Sequence, residues 1–313
     1  MENQALGLAE ALQRLSPSEI TVCRVKWRKA FDKLPSALKA PWMLDPASDD
    51  PFPKPGETWP DVWIATGRAT LPLSLTAKRR SGGKTFVVQT QDPRWRTGDY
   101  DLVVAPKHDG IEGPNVLSIT GSPHRISATR LAEGAKAFAD RLEPLPRPRV
   151  AVLIGGKSRA HDLPEDHAAL LADRIAAAIT AAGGSLMLTF SRRTPEAAKA
   201  AMTVRLSGLP GLIWDGEGPN PYFAFLHLAD HILVTEDSAN MAAEAASTGK
   251  PVHILPMVAT KPADKFSRLH ADLRERGAAR PFDGTLESWG YDPLTETDRS
   301  AREILKRLAV RNG

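Results

Sequence analysis

The stretch that decides the fold reads Val234-Thr-Glu-Asp-Ser-Ala-Asn-Met-Ala-Ala-Glu-Ala-Ala-Ser-Thr-Gly-Lys-Pro251. It begins as the end of a strand, turns at Asp237 and Ser238, and continues as a helix that stops at Gly249. Backbone N–H groups at a helix start lack intrahelical partners, so an anion there meets free donors and the positive end of the helix dipole. The pattern predicts a strand–helix–strand unit whose helix start is either an ordinary cap or an anion site.

The helix also carries an acid close to its start. Glu244 lies six residues beyond Ser238, within the opening turns. Its carboxylate can accept two hydroxyl hydrogens from a sugar ring. The run therefore fits a nucleotide diphosphate, with the phosphates at the helix start and the ribose on Glu244.

Composition and charge limit the classes of protein to which this chain can belong. The 313 residues are 42% hydrophobic and 25% charged, which suits a soluble protein of two domains. A net charge of +4 is too mild to predict nucleic-acid binding, and no apolar run approaches the roughly 20 residues of a membrane span. One cysteine, Cys23, excludes an internal disulfide, and the eight histidines show no metal spacing. We therefore predict a cytoplasmic protein without a metal.

The proline-rich segment Glu143-Pro-Leu-Pro-Arg-Pro-Arg149 predicts a stiff linker between two lobes, residues 1–146 and 147–313. Short runs that are apolar throughout predict strands buried on both faces, hence parallel sheets. The expected strands cover 20–23, 61–65, 85–89, 102–105, 116–119, 150–154, 186–190, 212–214, 232–235 and 252–255. The predicted fold class is α/β, with two Rossmann-like, doubly wound parallel-sheet lobes facing a ligand cleft.

A glycine loop follows the first strand of the second lobe. It consists of Gly155, Gly156, Lys157 and Ser158. A P-loop is excluded because its first glycine would fall at Ala151, inside the strand. The loop is either a generic phosphate loop that a backbone can approach closely, or a tight turn without a ligand.

Two further loops of this lobe have suitable chemistry. Arg192 and Arg193 follow the next strand and either clamp a diphosphate or lie in a solvated loop. Trp214 opens a glycine- and proline-rich loop that either holds a nucleobase or lies at the surface.

The first lobe supplies titratable loops and a basic, aromatic run. Asp92, His108, Asp109 and His124 are candidates for a general base, with turn capping as the alternative role. The run from Trp27 to Leu34 places Trp27, Phe31 and Leu34 on one predicted helical face among basic residues. It suits either an anionic membrane surface or an ordinary solvated face.

Several motifs together resemble the mitochondrial-fission protein family. They are Asn3-Gln4-Ala5-Leu6-Gly7, Gly67-Arg68-Ala69-Thr70-Leu71-Pro72, Gln91-Asp92-Pro93-Arg94, the run from Tyr100 to Gly110, Ser191-Arg-Arg-Thr194 and Val234-Thr-Glu-Asp-Ser238. The resemblance implies a relative of GT-B glycosyltransferases, whose second lobe holds a nucleotide-sugar donor. It implies that the glycine loop, Ser238 and Asn240 approach the diphosphate and that Glu244 takes the ribose.

The resemblance also implies a difference at the front of the chain. Relatives usually carry a strand and an Asp-Gly-x-x-Gly-His segment before the Asn-Gln pair, whereas this chain opens directly into a helix at Asn3. The first strand of the N-terminal lobe is therefore expected to be missing. Plant members are associated with recruiting a fission dynamin to mitochondria, a role that implies no sugar transfer.

Two hypotheses from different classes follow. The first is a metal-independent glycosyltransferase that uses a nucleoside-diphosphate sugar as substrate and no cofactor. Lys157, Arg192 and the helix start would neutralise the leaving diphosphate, and Asp92 or His108 would deprotonate the acceptor. The second is a non-catalytic adaptor that docks on membrane or protein partners, peripherally at the inner face of the membrane.

Overall fold

The computed structural model describes residues 2–262 and 264–312. The strands, in chain order, are β1 (Val62–Thr66), β2 (Phe86–Thr90), β3 (Leu102–Pro106), β4 (Val116–Ile119), β5 (Arg149–Ile154), β6 (His161–Asp162), β7 (Ser185–Phe190), β8 (Gly211–Trp214), β9 (His231–Thr235), β10 (Val252–Leu255), β11 (Val258–Ala259) and β12 (Ala279–Pro281). The helices are α1 (Glu2–Leu15), α2 (Lys29–Asp32), α3 (Leu71–Arg80), α4 (Ala128–Lys136), α5 (Ala139–Leu142), α6 (Glu165–Ala181), α7 (Glu196–Leu206), α8 (Tyr222–Leu228), α9 (Ala239–Ala246), α10 (Asp264–Glu275) and α11 (Glu296–Asn312).

The chain forms two compact units, each with its own parallel sheet. Unit 1 comprises Met1–Arg125 and Thr295–Gly313, and unit 2 comprises Ile126–Leu294. The predicted fold class, α/β with two Rossmann-like lobes, is confirmed. The predicted cleft between the lobes stays a prediction.

Unit 1 is built on four parallel strands in the order β1-β2-β3-β4. Strands β2 and β3 are buried at every position, and β3 is apolar throughout, whereas β2 ends in the buried polar residues Gln89 and Thr90. The strand expected at 20–23 is wrong, since these residues form no ladder and are largely exposed. Their β-branched composition favours a strand, but this preference does not produce a strand where no neighbouring strand packs against these residues.

Unit 2 contains a six-stranded parallel sheet in the order β12-β10-β9-β5-β7-β8. The chain winds outward from β5 through β7 to β8, then returns to β9 on the other side of β5. This reversal is the doubly wound arrangement, and open sheets of this kind bind ligands beyond the carboxyl ends of the strands at the reversal. Strand β12 was not predicted, because three residues with a proline show no periodic signal.

The division into units corrects the predicted boundary between 1–146 and 147–313. Helices α4 and α5 precede the proline-rich segment yet contribute Leu131 and Leu142 to a core of unit 2, together with Phe138, which lies between the two helices. At the other end, α11 packs in unit 1, where Ala301 and Ile304 join the core formed with α1. The composition of the proline-rich segment is that of a linker. However, the apolar faces of the flanking helices determine which sheet each helix packs against, and therefore where the boundary falls.

The amphipathic helix predicted from Trp27 to Leu34 is wrong. Only the single turn α2 is helical, and it contains neither Trp27 nor Leu34. Trp27 is buried and forms an antiparallel bridge with Leu44. Its indole N–H donates to the Ala69 carbonyl at 3.1 Å. Burial of the tryptophan therefore overrides a helical spacing that spans barely two turns. Among the described residues, no helix combines the length and apolar character needed to cross a membrane.

Candidate functional site

The three loops predicted to act together lie at the carboxyl edge of the unit 2 sheet. They follow β5, β7 and β9, which are neighbours in the sheet, and the reversal falls between β5 and β9. The Gly156 N–H donates to Asp237 Oδ2 at 3.0 Å, and the Lys157 N–H donates to the Arg193 carbonyl at 3.1 Å. The loops are therefore bonded to one another, and their joint contact with a ligand stays a prediction.

Asp237 holds these loops together. Its side chain is fully buried, and its charge is compensated by the Arg193 guanidinium at 2.9 Å. The Thr235 hydroxyl donates to its Oδ1 at 2.7 Å, in addition to the Gly156 N–H on Oδ2. Asp237 and Arg193, both predicted to contact a ligand, are thus engaged with each other. No motif in the sequence singles out Thr235, which lies at the end of β9.

The two glycines are required by close packing within the protein. A Cβ on Gly155 would lie 1.9 Å from Asp237 Oδ1, and one on Gly156 would lie 2.1 Å from the Arg193 carbonyl oxygen. These distances are far below van der Waals contact. The close approach that these glycines permit in the structure is that of the neighbouring loops, and contact of the glycines with a phosphate stays a prediction.

The backbone donors of the glycine loop are also already used. The Gly155 N–H donates to Thr235 Oγ1 at 2.7 Å, and the Ser158 N–H donates to the His161 carbonyl at 2.9 Å. With the bonds from Gly156 and Lys157, all four loop amides have partners within the protein. The Lys157 ammonium forms an exposed ion pair with Asp162 at 2.9 Å. The amides of the glycine loop are thus engaged within the protein, and binding of a phosphate by this loop stays a prediction.

The start of α9 retains unused donors. Ser238 is the N-cap, and its hydroxyl accepts the Met241 N–H at 3.3 Å. Within the described residues, the N–H groups of Ala239 and Asn240 have no hydrogen-bond partner. Arg192 is exposed, and no side-chain partner for it occurs in the part of the chain that the structure describes. Two backbone amides and one guanidinium are therefore available to an anion at the reversal.

Glu244 lies further along α9 and is half-buried. The Tyr222 hydroxyl, at the start of α8, donates to its Oε2. Burial raises the pKa of Glu244 to about 7, and the bond from Tyr222 opposes that rise. Burial and the Glu244 charge raise the pKa of Tyr222. Tyr222 was not among the predicted site residues, although it closes the same proline-rich loop that Trp214 opens.

Trp214 lies apart from the start of α9. It ends β8, the edge strand, which is separated from β5 by β7. Two strand spacings place β8 roughly 10 Å from β5. The Trp214 indole N–H donates to the Glu217 carbonyl at 2.8 Å and so closes its own loop. Its predicted contact with a nucleobase stays a prediction.

The candidate bases of unit 1 follow three adjacent strands, β2, β3 and β4. Asp92 Oδ1 accepts the Arg94 N–H at 2.7 Å, which is the turn-capping role left open by the sequence. His108 and Asp109 lie in the short 3₁₀ turn after β3. His124 is buried, and burial lowers its pKa to about 4, so it is neutral at physiological pH. The catalytic role predicted for Asp92 or His108 stays a prediction.

A polar network that the sequence analysis missed lies at the same edge of unit 1. The side-chain oxygen Oε1 of Gln4 accepts from Thr66 Oγ1 at 3.2 Å and from Gln91 Nε2 at 2.8 Å. Gln91, Arg94 and Arg96 have φ values of 68°, 54° and 53°. Such left-handed conformations are uncommon for residues other than glycine and concentrate at functional sites. The Asn-Gln pair at the front of the chain was the available signal.

The reversal in a parallel sheet and the helix start beside it define a Rossmann-like α/β protein. The chain belongs to the family described as Mitochondrial fission ELM1, whose profile matches residues 1–308. It is 33% identical over 279 residues to Mitochondrial fission protein ELM1 of Arabidopsis thaliana, with 80% of this chain and 65% of the relative covered. The chain thus spans about two thirds of that relative's length. The predicted family is confirmed.

Other similar proteins include one relative and two solved structures. The Uncharacterized protein RP120 of Rickettsia prowazekii (strain Madrid E) is 27% identical over 287 residues, with 79% of each chain covered. A UDP-GlcNAc 2-epimerase from Neisseria meningitidis bound to UDP-GlcNAc has 14% identity and a TM-score of 0.48, covering 98% of this chain and 96% of that one. A putative UDP-N-acetylglucosamine 2-epimerase from Listeria monocytogenes has 13% identity and a TM-score of 0.48, covering 79% and 66%.

Proposed function

We propose that unit 2 binds a nucleoside-diphosphate sugar and that the protein is a metal-independent glycosyltransferase. The observation that carries the proposal is the set of unused donors at the sheet reversal. The amides of Ala239 and Asn240 and the guanidinium of Arg192 are available, while every amide of the neighbouring glycine loop is engaged. This asymmetry supports a diphosphate at the start of α9.

The ribose would lie on Glu244. An ionised carboxylate offers about four acceptor positions, so the bond from Tyr222 leaves others for a sugar hydroxyl. With the phosphates at the first turn of α9 and the acid in the second, one helix would orient both parts of the nucleotide. Tyr222 fixes the carboxylate in place and is proposed here as a positioning residue.

Catalysis would come from charge stabilisation and positioning. When the glycosidic bond to the diphosphate breaks, negative charge develops on the leaving oxygen. Arg192 and the helix start would stabilise that charge, with Lys157 contributing less because Asp162 already partners it. Asp92 and His108 stay the candidates for the base that takes the proton of the acceptor hydroxyl.

Titration calorimetry with UDP, GDP, ADP, CDP and TDP tests the donor site. We expect at least one diphosphate to bind, and Arg192→Ala to weaken it about tenfold, the effect of one charge-assisted hydrogen bond. Arg205→Ala is the matched control. Arg205 lies in the last turn of α7, at the opposite edge of the sheet, and pairs with Asp173 at 3.3 Å. Absence of binding by the unaltered protein at millimolar nucleotide contradicts the proposal.

A second candidate, the non-catalytic adaptor, is favoured by a different observation. The Glu244 carboxylate already accepts a hydrogen bond from Tyr222, and the loop amides are satisfied without any ligand. These hydrogen bonds are sufficient to stabilise the fold of a protein that carries out no reaction. If Glu244→Ala preserves cellular function while nucleotide binding is lost, the adaptor is the better description.

A further inference from the structure

Residues 24–49 of unit 1, called here the 24–49 hairpin, fold back on themselves between α1 and β1. The Arg28 N–H donates to the Met43 carbonyl at 3.2 Å, and the Asp45 N–H donates to the Lys26 carbonyl at 2.8 Å. These bonds lie on either side of the antiparallel bridge formed by Trp27. The segment is therefore a defined, largely irregular hairpin whose turn spans residues 29–42.

The hairpin is anchored to the loop after β1. The indole of Trp27 and the hydroxyl of Ser36 donate to the carbonyls of Ala69 and Arg68, at 3.1 Å and 3.4 Å. The Lys39 ammonium lies 5.1 Å from the centre of the Trp27 ring and donates to the Asp32 carbonyl at 2.8 Å. These contacts hold the turn in one place relative to the sheet of unit 1.

The turn presents large apolar side chains to solvent. Leu38 is 62% exposed and Trp42 is 63% exposed. The ring of Phe31 meets that of Trp42 edge to face, with centroids 5.3 Å apart, so the two aromatic residues form one surface. We call Phe31, Leu38 and Trp42 the tip patch. Burial of an indole against an apolar surface is favourable, and an exposed tryptophan does not gain that free energy within its own chain.

The charge around the tip patch is strongly positive. Residues 24–42 contain six basic residues and one acidic residue, Asp32. Arg28, Lys29 and Lys33 are all exposed, and none of them has a carboxylate partner in the described part of the chain. An apolar centre bordered by cations is complementary to a surface that is apolar inside and anionic at its boundary.

We propose that the tip patch docks this protein on an anionic lipid bilayer. Trp42 and Leu38 would enter the boundary between headgroups and acyl chains, and Arg28, Lys29 and Lys33 would lie over anionic headgroups. A protein partner is disfavoured because a stable protein interface buries about 800 Å² on each side with close shape complementarity. Three side chains at a turn do not supply that area, whereas a fluid bilayer adapts to them.

Co-sedimentation of the full chain with vesicles tests the proposal. One set of vesicles is pure phosphatidylcholine, and the other contains roughly one third phosphatidylglycerol. We expect the bound fraction to be several-fold larger on the anionic vesicles and to fall at about 0.5 M salt, where the Debye length shortens. Trp42→Ala should lower the bound fraction about fivefold or more, since it removes the largest inserted side chain.

Leu170→Ala is the control for the loss of an exposed apolar side chain. Leu170 is 58% exposed on α6 of unit 2, far along the chain from the tip patch, and its removal should leave binding unchanged. Lys33→Glu should weaken binding to anionic vesicles and leave the weak binding to neutral vesicles as it is. Thermal unfolding of each variant confirms that it is folded.

Three outcomes overturn the proposal: the unaltered protein fails to sediment with anionic vesicles, Trp42→Ala binds as well as the unaltered protein, or both vesicle types bind equally. Loss of a dimer in Trp42→Ala during light scattering would assign the tip patch to a second copy of the chain instead. The measurement uses no nucleotide, so its failure is distinguishable from failure of the proposed function.

Discussion

At Asp237, three donors converge on one buried carboxylate. The residues that the sequence offered as phosphate ligands, Gly156, Arg193 and Asp237 itself, bond to one another across three loops. A buried charge is tolerated only when it is paired and hydrogen-bonded, so this cluster is primarily a requirement of folding. The donors that remain for an anion are the guanidinium of Arg192, next to Arg193, and the amides of Ala239 and Asn240, just beyond the N-cap Ser238.

Glu244 carries a prediction about pH that belongs to a single side chain. Its pKa is about 7 in the folded protein, against 4.5 for an ordinary glutamate, because burial penalises the charged form. The folded chain therefore binds more protons than the unfolded chain between these values. The stability that the neutral acid provides is complete below about pH 4.5 and is lost as the pH rises through about 7.

We expect Glu244→Gln to flatten the dependence of stability on pH. The pKa difference corresponds to at most about 3 kcal/mol of unfolding free energy. The variant should therefore be more stable than the unaltered protein at about pH 8 and similar to it at about pH 4.5. Urea unfolding across this range measures the effect. Glu217→Gln, at an exposed glutamate, is the control and should leave the dependence of unfolding free energy on pH unchanged. The same unchanged dependence in Glu244→Gln would show that Glu244 does not titrate in this range.

At the scale of elements, α11 belongs to the unit at the other end of the chain. Its Ile304 and Ala301 are fully buried against Leu8 and Ala11 of α1. The Arg299 guanidinium reaches the Ser118 carbonyl on β4 at 2.6 Å. The last helix therefore completes the core of the first unit, although more than 150 residues of the second unit intervene.

Removal of a buried methyl cluster from α11 should destabilise unit 1 selectively. Ile304→Ala is expected to lower the free energy of unfolding by about 2–5 kcal/mol, the usual cost of a large-to-small change in a core. Val310→Ala is the control on the same helix, because Val310 is 78% exposed and should change stability by less than about 0.5 kcal/mol. Urea unfolding should show the Ile304→Ala effect in one transition. Equal effects of the two changes would contradict the packing of α11.

At the scale of the whole molecule, the two units differ in whether they are formed from one continuous segment of the chain. Unit 2 is continuous, whereas unit 1 is assembled from both ends. Helices α4 and α5 cover the same core as Phe225 of α8 and Val234 of β9. A fragment that begins at residue 147 would therefore expose this core and would also carry α11 without its partner helix.

Two fragments distinguish the observed division from a boundary at the proline-rich segment. Residues 126–294 should unfold cooperatively on heating and elute as a compact species. Residues 147–313 should aggregate or melt without cooperativity, because Leu131, Phe138 and Leu142 are missing and the apolar face of α11 is uncovered. Gel filtration and thermal melts measure both properties. A well-folded 147–313 fragment would restore the boundary predicted from composition.

The sequence by itself determined the parallel α/β class, the places where strands end in loops, and the family. These features are local: an uninterrupted apolar run such as β3 and the capped start of α9 are visible within a few residues. The tertiary structure alone decided that Trp27 is buried, that α11 returns to α1, and that Asp237 uses the amide of Gly156. Each of these outcomes depends on burial and hydrogen-bond satisfaction between distant segments, and no local pattern contains that information.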